Sequence, residues 1–97
     1  MTNFNEAKER NFEKLEQYVP VVDRVHGAHH PEFHNVRSLY EQIKAKIDKA
    51  GASKPELDSE FKQLREITKD YEVPGDVCES YAAVYNMLED LDKSYQA

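Results

Sequence analysis

An all-α domain, built as an up-down bundle of three to four helices, is the fold class this sequence predicts. Three observations predict it. Apolar residues recur in steps of three and four along four segments, and no stretch alternates with period two over a useful length. The gaps between segments hold glycine, proline and helix-start signals. With only three glycines, no tryptophan and 33% charged residues, the composition suits a helical domain better than a β-rich one. A chain of 97 residues is expected to form one domain, residues 1–97.

The first segment runs from about Asn3 to His26. Phe12, Leu15, Val19, Val22 and His26 share one of its faces. Asn3 with Glu6 is a capping-box start. Pro20 removes a backbone donor and crowds the carbonyl of Glu16, so one bent helix or two short ones are expected. Gly27 loosens the backbone. Pro31 suits the first turn of a second helix ending at Ala50, with His30 before it as the cap. Its stripe is Phe33, Val36, Tyr40, Ile43 and Ile47, with Leu39 beside it. Gly51 is the C-cap signal, and Lys49 favours a helix C-terminus.

Ser53 and Glu56 form a second capping box, with Pro55 tolerated in the first turn. The third helix carries Leu57, Phe61, Leu64, Ile67 or Thr68, and Tyr71, and Val73-Pro74-Gly75 ends it. Asp76 and Glu79 form a third capping box. The last helix follows with Val77, Tyr81, Val84, Leu88, Leu91 and Tyr95 in the cleanest stripe. These stripes are narrow, about two apolar residues in seven. A slim seam follows, and a homodimer is one way to bury more.

The net charge of -6 is uneven. Residues 1–53 carry eight basic and eight acidic side chains, whereas residues 54–97 carry five basic and eleven acidic. An acidic half excludes the basic footprint that nucleic acid requires, and it disfavours anionic membranes. No apolar run approaches the roughly 18 residues of a membrane span. The N-terminus lacks a basic and an apolar signal region, and Cys78 has no second cysteine to pair with. Cytoplasmic residence is the expectation.

All four histidines fall within residues 25–34. Neutral imidazole is a ligand for zinc, iron, copper or nickel. His26, His29, His30 and His34, with Glu32 as a carboxylate, are therefore the candidate metal ligands. Their spacing matches no closed structural zinc pattern. The structural alternative is that they cap helix ends and pack locally. Cys78, flanked by Asp76 and Glu79, reads as an inert packed thiol. Glu56, Asp58 and Glu60 recur every two residues and read as solvated surface, and the tyrosines read as packing. There is no Gly-rich phosphate loop, no supported Ser/His/Asp order and no H-E-x-x-H, so nothing here indicates an enzyme.

Two blocks carry a family resemblance. Val22 to Glu32 reads V-D-R-V-H-G-A-H-H-P-E and resembles the "V-x-R-V-H-G-x-x-H-P-E" segment in the hemerythrin-like domain of the RIC proteins, which repair iron centres. Ile67 to Cys78 reads I-T-K-D-Y-E-V-P-G-D-V-C and is similar to that family's "L-T-N-D-Y-x-x-P-x-D-A-C". The blocks occur in the family's order, and with their flanks they cover a little over half the chain. The resemblance implies a hemerythrin-like four-helix fold with an oxo-bridged di-iron centre. It also implies a role in restoring iron–sulfur clusters damaged by nitric oxide or oxidants.

The resemblance places the family's "V-H-G" ligand on His26. Its earlier histidine falls near Asn5, and a later one falls near Lys54. The central His-x-x-x-Glu and "L-F-P" segment has no counterpart, with residues 51–55 standing in its place. The chain ends before the family's "H-I-x-L-E-N-N" ligand pair. A shortened relative with an incomplete di-iron site is thus expected, with iron as the candidate cofactor and iron–sulfur proteins as candidate partners. The alternative is a metal-free helical interaction module or homo-oligomer.

Overall fold

A computed structural model of the chain describes residues 2–51 and 55–96. Four α-helices form: α1 (Thr2–His26), α2 (Glu32–Ala50), α3 (Asp58–Thr68) and α4 (Glu79–Gln96). No strand occurs among the described residues. No helix among them is long and apolar enough to cross a membrane.

The helix α1 is continuous through Pro20. Proline costs the helix a hydrogen bond, but Val19 and Val22 on either side are buried in the core. Glu16, one turn earlier, is held by α2: Tyr40 Oη donates to its carboxylate at 2.7 Å, and Lys44 pairs with it at 2.7 Å. Tertiary contacts on both sides of the proline keep the two halves together. The Asn3 capping box falls on a side chain outside those described.

Pro31 precedes α2 with helical angles, φ -62° and ψ -21°, so the helix starts one residue later than expected. All six of its expected stripe residues are buried. Gly51 ends α2 at φ +60°, a conformation that favours glycine, and its N–H caps the carbonyl of Ile47.

The largest departure concerns α3. It begins at Asp58, not near Ser53, and Ser53 itself lies outside the described residues. Tyr95 explains the delay. Its hydroxyl donates to the carbonyl of Pro55 at 3.2 Å and accepts from the Leu57 N–H at 3.0 Å. Those groups are therefore satisfied outside a helix. The helix also ends early, at Thr68, because Lys69, Asp70 and Tyr71 all adopt left-handed angles. Glu60 is not solvated surface. It is buried, 2.6 Å from Lys46, and its second oxygen has no hydrogen-bond partner among the described residues.

Cross-helix contacts set the topology. Phe4 near the start of α1 meets Tyr95 near the end of α4, while His26 at the end of α1 meets Tyr81 near the start of α4. The pairs Glu16–Lys44 and Asp23–Arg37 run α2 antiparallel to α1. Lys46–Glu60 does the same for α2 and α3, and Arg65–Asp92 for α3 and α4. The bundle is up-down-up-down, as expected. The core is wider than the stripes suggest. On α4, Tyr85, Met87 and Asp92 are buried beyond the expected residues. Asp76 does not cap α4, which begins at Glu79; its carboxylate is used elsewhere.

Asp92 joins α3, the turn after it and α4. Arg65 Nη1 donates to both carboxylate oxygens at 2.7 Å, and Tyr71 Oη donates to Oδ2 at 2.8 Å. Removing one partner of a buried charge pair leaves the others without compensation. Asp92→Ala is expected to cost about 3 kcal/mol of unfolding free energy. Asp90→Ala, at a more exposed pair with Arg10, is expected to cost about 1 kcal/mol. Urea denaturation of the two variants measures the difference.

Candidate functional site

The histidine-rich stretch forms the junction between α1 and α2. The N–H groups of His29 and His30 both donate to the carbonyl of His26, at 3.0 and 2.8 Å, and so close the end of α1. Gly27 is needed here for space. A Cβ at this position would lie 2.6 Å from His34 Cε1 and would also collide with the Asp23 carbonyl. His34 therefore lies over a residue that has no side chain.

The histidines take separate partners. His26 Nε2 lies 3.1 Å from Cys78 Sγ. His30 uses both ring nitrogens, with Nδ1 3.1 Å from Glu32 Oε2 and Nε2 3.1 Å from Asp76 Oδ1. His34 Nδ1 is 2.5 Å from Asp23 Oδ1, but the two are not aligned as a hydrogen bond, and Asp23 also accepts from Arg37 Nη1 at 3.0 Å. His29 is exposed. Tyr81 underlies two of these rings. Its ring centre is 5.5 Å from both His26 and His30, each met edge-on. It also packs on Phe33 and Tyr85, and its hydroxyl lies 3.1 Å from that of Tyr85.

Four parts of this cluster were not expected. Cys78 is exposed and faces an imidazole, so it is not a packed thiol. Asp76 binds His30 across 46 residues rather than capping α4. Asp23 holds His34, and Tyr81 is a platform as well as core. The one sequence signal for the first two pairs was the order of the two blocks. The folded chain lays them against each other, His26 on Cys78 and His30 on Asp76.

Burial of His30 acts to lower its pKa, but the carboxylates of Glu32 and Asp76 outweigh this, and the pKa is raised. Burial, together with the neighbouring hydroxyl, pushes the Tyr81 phenol well above its ordinary value, so it stays protonated.

Among the described residues, no group of three or more His, Cys, Asp or Glu side chains is arranged to hold a metal ion. The donors are instead spent on one another: both nitrogens of His30, one of His26 and one of His34. A di-iron centre takes several carboxylates and histidines converging from different helices. As arranged here, the donor set does not fit one.

The comparisons with known proteins bear on this cluster. The chain is similar to an iron–sulfur cluster repair protein. The relative is iron-sulfur cluster repair protein ScdA of Staphylococcus haemolyticus (strain JCSC1435), 22% identical over 123 residues. The match covers 95% of this chain, which spans only about half of the relative, 55% of its length. The matched stretch is longer than this chain, so the relative carries residues within it that have no counterpart here. No protein-family model and no solved structure matches.

A pH dependence follows from the raised pKa of His30. The unfolded imidazole titrates near ~6.5. The stabilisation from the charged His30 is therefore complete below that value and is lost as pH rises through the higher folded pKa. NMR titration of the imidazole is expected to give a midpoint above 6.5 in the folded protein. Asp76→Asn is expected to lower that midpoint and to flatten the loss of Tm over the same window.

Proposed function

We propose that this chain is a small RIC-like protein that serves iron–sulfur cluster repair under nitrosative or oxidative stress in the cytoplasm. One observation carries the reading: the similarity to a repair protein extends over nearly the whole chain. The geometry supports it from another side. The two blocks resembling the RIC family are distant in sequence, yet they meet at His26–Cys78 and His30–Asp76. An up-down four-helix bundle is also the frame of the hemerythrin-like fold that the family uses.

In this reading the partners are iron–sulfur proteins, and the chain does not act as an enzyme on a small substrate. Iron enters only if His26, His30 and Glu32 exchange their present partners for a metal, with His29 and His34 as neighbouring donors. The pairing of those donors favours a second reading: a metal-free helical interaction module, acting alone or as a homodimer, that keeps the scaffold of the repair proteins without their centre.

Two measurements separate the readings. Untagged protein is analysed for iron and zinc. The same protein is added to a [4Fe–4S] dehydratase inactivated with nitric oxide. The repair reading expects faster recovery of dehydratase activity with the protein present, and a loss of at least half of that gain in a His26→Gln, His30→Gln double variant. No metal and no gain in recovery would leave only the interaction module.

A further inference from the structure

We propose that Cys78 and His26 form a thiol-modification site that takes low-molecular-weight disulfides and carries one half of the disulfide as a mixed disulfide on Cys78. The site does not depend on the repair reading or on any metal.

The thiol does not stand alone. Residues 52 positions apart bring Sγ to within 3.1 Å of His26 Nε2. The imidazole is held in place, since its ring stands edge-on to Tyr81 at 87°, and Tyr81 is fully buried. Cys78 is exposed, so a reagent reaches the sulfur without opening the bundle. It lies immediately before α4, and its carbonyl accepts from the Ala82 N–H at 3.2 Å. A helix start beside an imidazole is an environment that favours a reactive sulfur.

The chemistry balances without a further oxidant. In the tautomer protonated at Nδ1, His26 Nε2 accepts from the thiol S–H. As Sγ attacks one sulfur of RS–SR, its proton passes to Nε2. A Cys78 S–S bond forms and the RS–SR bond breaks. The departing thiolate takes the proton from the imidazolium and leaves as RSH. Cys78 is oxidised and the leaving sulfur is reduced. Cys78 is the chain's one cysteine, so no second thiol of the chain displaces the adduct. It remains until an external thiol removes it.

Local charge selects among disulfides. Asp76 and Glu79 flank the thiol and are both exposed, in the acidic half of the chain. Cationic disulfides are favoured over anionic ones.

The test mixes the native protein with cystamine or with glutathione disulfide and follows the intact mass. The expected result is one adduct per chain, formed about tenfold faster than on the same chain unfolded in urea, with cystamine the faster reagent. His26→Ala, folded by circular dichroism, is expected to react about tenfold more slowly than the native protein. Added imidazole is expected to restore part of that rate, which a purely structural histidine would not allow. Equal rates for the native and urea-unfolded chains would overturn the proposal, as would a His26→Ala rate equal to the native one. A disulfide-linked dimer as sole product would also overturn it. If the alanine variant does not fold, the comparison of native and unfolded chains still decides.

Discussion

The burial of Tyr81 is the contact on which the junction depends. One ring from the first turn of α4 meets the last residue of α1, the linking segment, α2 and its own neighbour Tyr85. A phenol can serve all of these because its body is apolar and its tip is polar. The ring packs against imidazoles and Phe33, and the hydroxyl shares a hydrogen bond with Tyr85 inside the core. The histidine positions follow from this. His26 and His30 are not loosely placed side chains of a loop. They stand on a fixed wall, and each turns its free nitrogens toward the segment that leads into α4.

That segment reaches the histidines only because α3 stops early. Three consecutive residues without glycine, Lys69, Asp70 and Tyr71, take φ of 54°, 60° and 63°. Such angles cost roughly 1–2 kcal/mol per residue, so something must offset them. Thr68 Oγ1 donates to the Leu64 carbonyl and accepts from the Tyr71 N–H, while Tyr71 anchors its hydroxyl on Asp92. The Asp70 and Glu72 N–H groups return to the carbonyls of Arg65 and Thr68. The turn is held at its hydroxyl, its amides and its ring. It redirects the chain so that Asp76 and Cys78 come back to the far end of α1.

Much of the fold was legible because helix periodicity is a local property. The stripes of α2 and α4 name most of the residues those helices bury, and Gly51 marks an end that its φ requires. What was misread involved a distant partner. Ser53-Lys54-Pro55-Glu56 has the spacing of a cap, yet Tyr95 satisfies the backbone that follows it. Glu60 reads as surface until Lys46 arrives from α2. Cys78 reads as packed until it is seen exposed beside an imidazole. In each case the deciding atom belongs to another helix.

By itself the sequence determined the all-α class, the number of helices, their faces, and the concentration of imidazole at one junction. Spacing along a single chain suffices for these, since an α-helix repeats every 3.6 residues. It also carried the two blocks whose resemblance points toward iron–sulfur repair. Only the tertiary structure decided what the histidines touch. Four imidazoles within nine residues suggest convergence on one ion. The bundle instead gives His26 a thiol, His30 two carboxylates and His34 a third carboxylate. Donors that already hold hydrogen-bond partners must give them up before a metal can bind. Those partners arrive from α1 and from the approach to α4, where the fold delivers them and local sequence does not.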